Sequence, residues 1–195
     1  VTSFFPEDGG EKELLADQYD GRPFNKPNDL WIHPNNGVFF SDPNYGRKDL
    51  SQDGEHLYFI TPYRDQIIRV DKDLKRPNGI VGTPDGKTLY VADPGQGKTF
   101  RYTVGEGEEG TLSGKKLFVE SGSDGMTLDE HGNLYITPKE PAIHVYDRSG
   151  ELREKITVAN ERIAAGLAEV GAADLEPQPT VSDNVFPVII INTTS

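Results

Sequence analysis

The sequence repeats one phrase three times, and each repeat opens with a side chain that carries an oxygen donor. These residues are Asn28, Asn78 and Asp124, and they lie 50 and 46 positions apart. A period of roughly 40 to 50 residues is typical of the four-stranded blades of β-propellers. In such a ring the innermost strand of every blade lines one central channel. The repeat therefore predicts that three oxygen donors converge on one axis.

Each phrase also predicts a β-hairpin. Apolar residues follow the Asn or Asp, then comes a turn rich in Gly, Asp or Asn, and then an aromatic and β-branched run. The turn at residues 83–86, Thr-Pro-Asp-Gly, is the clearest. Further strand-like runs lie between the phrases, at residues 57–60, 67–70, 100–103 and 143–146. Pro-Asn and Asp-Gly pairs are common turn signals by themselves, but three pairs at matching offsets favour an all-β chain with four strands per period.

Several segments carry a family resemblance, in the right order along the chain: residues 24–30, 40–43, 76–80, 89–93 and 123–126, with Asp129 and residues 132–135. Together they resemble the SMP-30/gluconolactonase/luciferin-regenerating-enzyme family over about residues 1–158. The resemblance implies a six-bladed β-propeller with a divalent cation, usually Ca²⁺, in its channel, and an activity that opens sugar lactones.

The resemblance also implies roles for single residues. Asn78 and Asp124 would ligate the metal directly, and Asn28 would bind the metal or the substrate beside it. Asp29 would support these ligands through hydrogen bonds. Asn25 flanks the first phrase with Arg22, Tyr45 and Arg47; these four residues either bind a polyhydroxy substrate or belong to ordinary surface loops.

One ligand of the family has no counterpart in this sequence. It is a Glu on the first blade, which would precede residue 1. At roughly 48 residues per blade, 195 residues make about four blades of a ring that needs about 300. We therefore expect residues 1–158 to be propeller blades of a longer protein, without its N-terminal blade. Residues 159–195 differ in composition and predict a divergent tail with a short helix and one strand.

Composition limits the partners. The chain has 32 acidic and 20 basic residues, a formal charge of −12 that repels nucleic acid and anionic membranes. It has no cysteine, which excludes sulfur-ligated zinc and a thiolate nucleophile. The apolar run at residues 185–191 is much shorter than the ~20 residues that cross a bilayer. We expect a soluble protein, cytoplasmic or periplasmic, with its oligomeric state left open.

The candidate ligands favour one kind of metal. A hard dication such as Ca²⁺ takes six to eight oxygen ligands in flexible geometry. The oxygen donors of Asn28, Asn78 and Asp124 therefore fit Ca²⁺ better than they fit zinc. Another divalent cation is the alternative. Such a centre can polarise a lactone carbonyl and stabilise the resulting oxyanion. Asp124 would either hold the metal only or also take the proton of the attacking water, and the resemblance implies both roles.

With the candidate ligands, the resemblance implies a calcium-dependent hydrolase that opens a sugar lactone, a small-molecule substrate. Two alternatives stay open at this level. The same site would serve another ester or a phosphotriester, since a fold does not determine its substrate, or the propeller would be a non-catalytic binding module. The four histidines, His33, His56, His131 and His144, share no metal-binding spacing and favour structural roles.

Overall fold

The computed structural model describes residues 1–5, 11–46 and 49–157. The strands are β1 (Thr2–Phe5), β2 (Glu11–Leu14), β3 (Gln18–Tyr19), β4 (Arg22–Pro23), β5 (Leu30–Ile32), β6 (Val38–Asp42), β7 (His56–Ile60), β8 (Ile67–Asp71), β9 (Ile80–Gly82), β10 (Thr88–Asp93), β11 (Lys98–Val104), β12 (Leu112–Val119), β13 (Met126–Leu128), β14 (Leu134–Ile136), β15 (Ala142–Tyr146) and β16 (Leu152–Thr157). Over these ranges the chain contains strands and turns but no helix, so the predicted all-β class is confirmed.

The three phrases form three antiparallel sheets of four strands each. Their orders are β5-β6-β7-β8, β9-β10-β11-β12 and β13-β14-β15-β16, and two smaller sheets pair β1 with β2 and β3 with β4. Four strands per period were predicted and are confirmed in these three units. Each unit begins with a three-residue strand two positions after Asn28, Asn78 or Asp124. The number of blades in a closed ring stays a prediction.

The turn at residues 83–86 closes the β9–β10 hairpin as its sequence predicts. Gly86 donates its N–H to the carbonyl of Thr83 at 2.9 Å and has a φ of +74°, in the left-handed region that glycine adopts without a steric penalty. The carboxylate of Asp85 accepts the hydroxyl of Thr83 at 2.6 Å, which braces the turn from inside. Local chemistry thus sets the register of this hairpin.

Side chains along the central strand β6 point alternately to the two faces of its sheet and contribute to a core on each face. Phe39 of β6 packs with Leu89 and Val91 of β10, between the first and second four-stranded sheets. Its neighbour Phe40 faces the opposite way, toward a cluster with Phe24. Because side chains alternate across a strand, one apolar run serves two cores, and successive sheets stack face to face.

The first strands of the three sheets lie side by side, with β9 in contact with both β5 and β13. Trp31 of β5 packs directly over Gly82 of β9. A Cβ placed on Gly82 would meet Cζ2 of Trp31 at 2.2 Å, which is far inside van der Waals contact. The missing side chain at residue 82 therefore allows the first two sheets to approach closely at the end of β9.

Some predictions concern residues outside the described ranges. The tail at 159–195, with its predicted helix and strand, lies beyond them, and so does Arg47. No helix long and apolar enough to cross a membrane is found in the portion of the chain that the structure describes.

Candidate functional site

Asn28 and Asn78 occupy equivalent backbone positions. The N–H of Asn28 donates to the carbonyl of Ser41 at 2.9 Å, and the N–H of Asn78 donates to the carbonyl of Ala92 at 2.9 Å. Both bonds continue the pairing between the first and second strands of a sheet. The repeat register seen in the sequence is therefore a register of backbone hydrogen bonds, and it presents the two Asn residues at matching places.

A buried carboxylate holds the loop in front of each Asn. Asp42 accepts the backbone N–H groups of Asn25 and Lys26 at 2.9 and 2.8 Å. Asp93 does the same for the two residues that precede Pro77, at 2.8 and 3.0 Å. Both carboxylates are fully buried. The Asp-Pro pair that ends the second strand in these phrases thus anchors the loop that carries the candidate ligand.

The third phrase holds its loop with hydroxyl groups instead. Thr137 stands at the end of β14, and its N–H donates to Oγ of Ser123 at 2.8 Å. Oγ of Ser123 in turn donates to the carbonyl of Gly125 at 2.5 Å. These bonds bracket Asp124 from both sides, so its loop is fixed although the side chain is exposed.

The structure brings Asn78 and Asp124 together. Nδ2 of Asn78 donates to Oδ1 of Asp124 at 2.8 Å and to the hydroxyl of Tyr45 at 2.8 Å. Asn78 is only 3% exposed. Its Oδ1 atom is buried and has no hydrogen-bond partner among the residues described. A buried carbonyl oxygen without a donor is costly unless a ligand or a water molecule satisfies it, so this atom, which lies beside Asp124 at an open cavity, is a candidate binding position.

Asp29 connects the first two inner strands beside this pair. Its Oδ2 accepts the N–H of Ile80 at 2.9 Å, and its Oδ1 accepts the N–H of Leu30 at 2.8 Å. Burial raises the pKa of Asp29, and the charge of nearby Asp124 raises it further, while the two backbone donors lower it. The contact to Ile80 gives Asp29 a supporting position two residues from Asn78.

Asn25 is committed to internal contacts. Its Nδ2 donates to the carbonyl of Gly54 at 2.8 Å, and its Oδ1 accepts the N–H groups of Ser51 and Gln52 at 2.9 and 3.1 Å. The side chain is 1% exposed. These contacts favour a supporting role, in which Asn25 fixes the 51–54 loop, over contact with a substrate.

An open cavity of about 470 Å³ lies at Asn78 and Asp124. Its polar lining residues are Tyr45, Asn78, Glu120, Ser121, Ser123, Asp124, Thr137 and Lys139. Glu120 and Lys139 were not predicted from the sequence, because they follow the last strand of one sheet and the second strand of the next, where no motif singles them out. Tyr45 was considered only as one of several loop residues.

Asn28 is half-buried at the position equivalent to Asn78. That it shares a cation with Asn78 and Asp124 stays a prediction.

His33, for which the sequence favours a structural role, contacts the carbonyl of Gly86 through Nε2 at 3.1 Å and so joins the turns of the first two sheets.

The donors present suit a cation that prefers oxygen. Within the described ranges no group of three or more His, Cys, Asp or Glu residues could hold a metal ion. A cation in this cavity would therefore depend on amide oxygens together with Asp124. The buried Oδ1 of Asn78 fits that requirement, since amide carbonyls and a carboxylate are ligands that Ca²⁺ accepts and zinc seldom uses.

Comparison with known proteins gives a consistent result. The sequence profile described as the SMP-30/Gluconolactonase/LRE-like region matches residues 2–173. A gluconolactonase of Zymomonas mobilis is 26% identical over 157 residues, which are 72% of this chain and 44% of that protein. A lactonohydrolase of Aspergillus oryzae is 33% identical over 93 residues, 45% of this chain and 21% of that protein.

Solved structures agree in fold. A gluconolactonase from Xanthomonas campestris matches with a TM-score of 0.68 and 27% identity, over 78% of this chain and 53% of its own. The calcium-binding protein regucalcin from Agrobacterium tumefaciens matches with a TM-score of 0.57 and 24% identity, over 68% of this chain and 45% of its own, which shows likeness of fold alone. The chain thus spans about half the length of the two gluconolactonases and of regucalcin, and less of the lactonohydrolase.

Proposed function

The chain belongs to the SMP-30/gluconolactonase/LRE-like family, and from that premise we propose that its protein is a calcium-dependent hydrolase that opens a sugar lactone. The observation that carries the proposal is the buried, unpartnered Oδ1 of Asn78, which lies beside the Asp124 carboxylate in an open cavity. In this proposal the three four-stranded sheets are successive blades of a six-bladed propeller, and the cavity opens at its channel.

Asn28, Asn78 and Asp124 would hold the Ca²⁺ ion. When bound there, the ion supplies a positive charge that polarises the lactone carbonyl and stabilises negative charge on its oxygen. Asn78 contributes its amide oxygen, and Asp124 contributes the only formal charge of the three. The carboxylate of Asp29 accepts the N–H groups of Leu30 and Ile80, so it would support the strand that follows Asn78.

Asp124 is also the candidate general base. Its Oδ1 is fixed by the Asn78 amide, and the side chain remains exposed at the cavity. In lactone hydrolysis the oxygen of a water molecule bonds to the carbonyl carbon, and the bond from that carbon to the ring oxygen breaks. Asp124 would take the proton of the water and return it to the departing ring oxygen, which leaves an open-chain hydroxy acid.

The rest of the cavity suits a substrate with several hydroxyl groups. Glu120 and Lys139 line the cavity with one charge of each sign, beside the Asp124 carboxylate. A few convergent polar groups in a concave site are what orients a small ligand. A sugar lactone offers matching donors and acceptors around its ring.

A pH-stat assay with gluconolactone tests the proposal. We expect acid release above the spontaneous rate in the presence of Ca²⁺, loss of that excess when the protein is dialysed against a chelator, and recovery when Ca²⁺ is restored. An aryl ester and a phosphotriester in parallel assays test the substrate class. Hydrolysis that is unchanged by the chelator would contradict the calcium requirement, and no excess over the spontaneous rate would contradict the lactonase assignment.

A further inference from the structure

Tyr45 reaches from the first four-stranded sheet to the candidate ligand of the second. It lies in the segment that follows β6, and this segment is anchored where the N–H of Asn44 donates to Glu55 at 2.6 Å. The Tyr45 hydroxyl accepts the Nδ2 hydrogen bond of Asn78, which lies 33 positions further along the chain. The half-buried ring therefore bridges two sheets at the cavity wall.

The ring of Tyr45 is held as well as its hydroxyl. The guanidinium carbon of Arg76 lies 5.6 Å from the ring centroid, a distance at which a cation attracts an aromatic face. The backbone N–H of Arg76 is fixed by the buried carboxylate of Asp93 at 3.0 Å. Both attachments of Tyr45 thus lead to the short loop that carries Asn78.

The hydrogen bonds of Asn78 determine which way its amide points. An amide group has two N–H hydrogens, and Asn78 has two acceptors, Asp124 and Tyr45, each at 2.8 Å. The reverse orientation would place the amide oxygen against the Asp124 carboxylate and would leave an N–H group buried without an acceptor. The two bonds therefore leave Oδ1 as the atom that remains for a ligand.

We propose that Tyr45 is a positioning residue, whose hydroxyl fixes the Asn78 amide so that Oδ1 is presented to the cation. The inference rests on the metal site of the proposed function. Without the hydroxyl, one N–H of Asn78 loses its acceptor, and rotation of the amide is opposed by the Asp124 bond alone. Partners that orient a ligand in this way commonly affect metal affinity by 10- to 100-fold.

Calcium affinity of a Tyr45→Phe variant tests this inference. The substitution removes one oxygen and keeps the ring that Arg76 covers. We expect Ca²⁺ titration calorimetry of the protein to show binding about 10-fold weaker than wild type. The matched control is Tyr63→Phe, which removes an exposed hydroxyl bonded to Glu108 at 2.8 Å, outside the cavity, and should leave the affinity unchanged.

The melting temperature in excess chelator separates positioning from simple structural support. A positioning role predicts that Tyr45→Phe, without metal, still unfolds in one cooperative transition, lowered by no more than about 10 °C because one N–H of Asn78 loses its acceptor, whereas Tyr63→Phe melts as wild type does and binds Ca²⁺ normally. Wild-type affinity in Tyr45→Phe would overturn the inference while leaving the metal site intact. A weaker affinity that comes with a large fall in metal-free melting temperature would overturn it in favour of structural support. If wild type itself fails to bind Ca²⁺, the proposed metal site is wrong and the inference falls with it.

Discussion

Asp124 differs from the other two residues at its register in both charge and exposure. Asn78 is buried with its amide hydrogens engaged, whereas Asp124 is exposed and has one oxygen bonded to that amide. A carboxylate that is held at one oxygen and open to a cavity can both bind a cation and accept a proton. The chemical asymmetry of the proposed mechanism therefore lies in this one residue.

Replacing Asp124 by Asn should abolish hydrolysis and leave the fold intact. The change keeps the size of the side chain but removes its charge and its ability to take a proton. Since general-base groups contribute about 10²- to 10⁴-fold, we expect lactone turnover to fall at least 100-fold in a pH-stat assay. Circular dichroism should show an unchanged all-β spectrum. Glu130→Gln removes an exposed carboxylate from the β13–β14 turn and is the control for loss of charge. Activity near wild type in Asp124→Asn would remove Asp124 from the mechanism.

The sequence pairs Asn78 with Asp124 because both sit at one register of a repeat, and the contact between the inner strands β9 and β13 brings that register together in space. Tyr45 could not be singled out in the same way. It lies in a loop, outside the strand register, and its contact with Asn78 depends on how two sheets stack. Asn25 shows the converse: it flanks the first phrase, which leaves substrate binding and an ordinary loop role both open, and only the structure shows that its amide is engaged with the 51–54 loop.

At the scale of the strand, the inner strands carry the proposed site because they come close together. The Trp31 indole on β5 covers Gly82 on β9, and a Cβ on Gly79 would contact the carbonyl of Asp124 at 3.1 Å. Small residues at the two ends of β9 thus allow both neighbouring sheets to approach. The sequence showed these glycines, but their purpose became visible only from the neighbouring sheets that they contact.

Gly82→Ala should destabilise the protein by about 1 to 3 kcal/mol, the usual cost of overfilling a packed core. The new methyl group would overlap the Trp31 ring, which is also packed against the core and has little room to move. Urea unfolding measures the loss. Gly125→Ala is the matched control, because a Cβ there would meet no atom within 4 Å.

A second substitution tests the cause. Trp31→Leu removes the overlapping ring, so it should make Gly82→Ala less harmful than it is in the wild-type background. The difference is the coupling free energy of a double-mutant cycle, and residues in contact commonly show about 0.5 to 3 kcal/mol. If Gly82→Ala is as stable as Gly125→Ala, the close approach of the inner strands does not limit packing here.

At the scale of the whole molecule, the period of the sequence predicts the repeating unit but not the closure of a ring. Four strands per phrase follow from local alternation and turn chemistry, and the structure has them in all three sheets. The number of such units depends on the angle at which sheets stack, which no single phrase encodes. The chain spans about half the length of its matched relatives, so the blade count and the whole protein's activity are proposals.

Calcium should raise the melting temperature of the protein by more than the nonspecific screening of its net charge would. A ligand that binds only the folded state stabilises it by about 2.7 kcal/mol at 100 times its dissociation constant. For a chain of this size, that corresponds to a rise of about 5 to 10 °C, measured by differential scanning calorimetry against protein in chelator.

A formal charge of −12 would let any dication stabilise the fold by weak screening. Mg²⁺ at equal concentration controls for this effect, and Ca²⁺ should give the larger rise because Mg²⁺ demands a stricter octahedral geometry. Asp124→Asn should lose the excess of Ca²⁺ over Mg²⁺. An equal response to both ions, retained in Asp124→Asn, would show that the cation acts on the surface charge of the molecule and not at the proposed site.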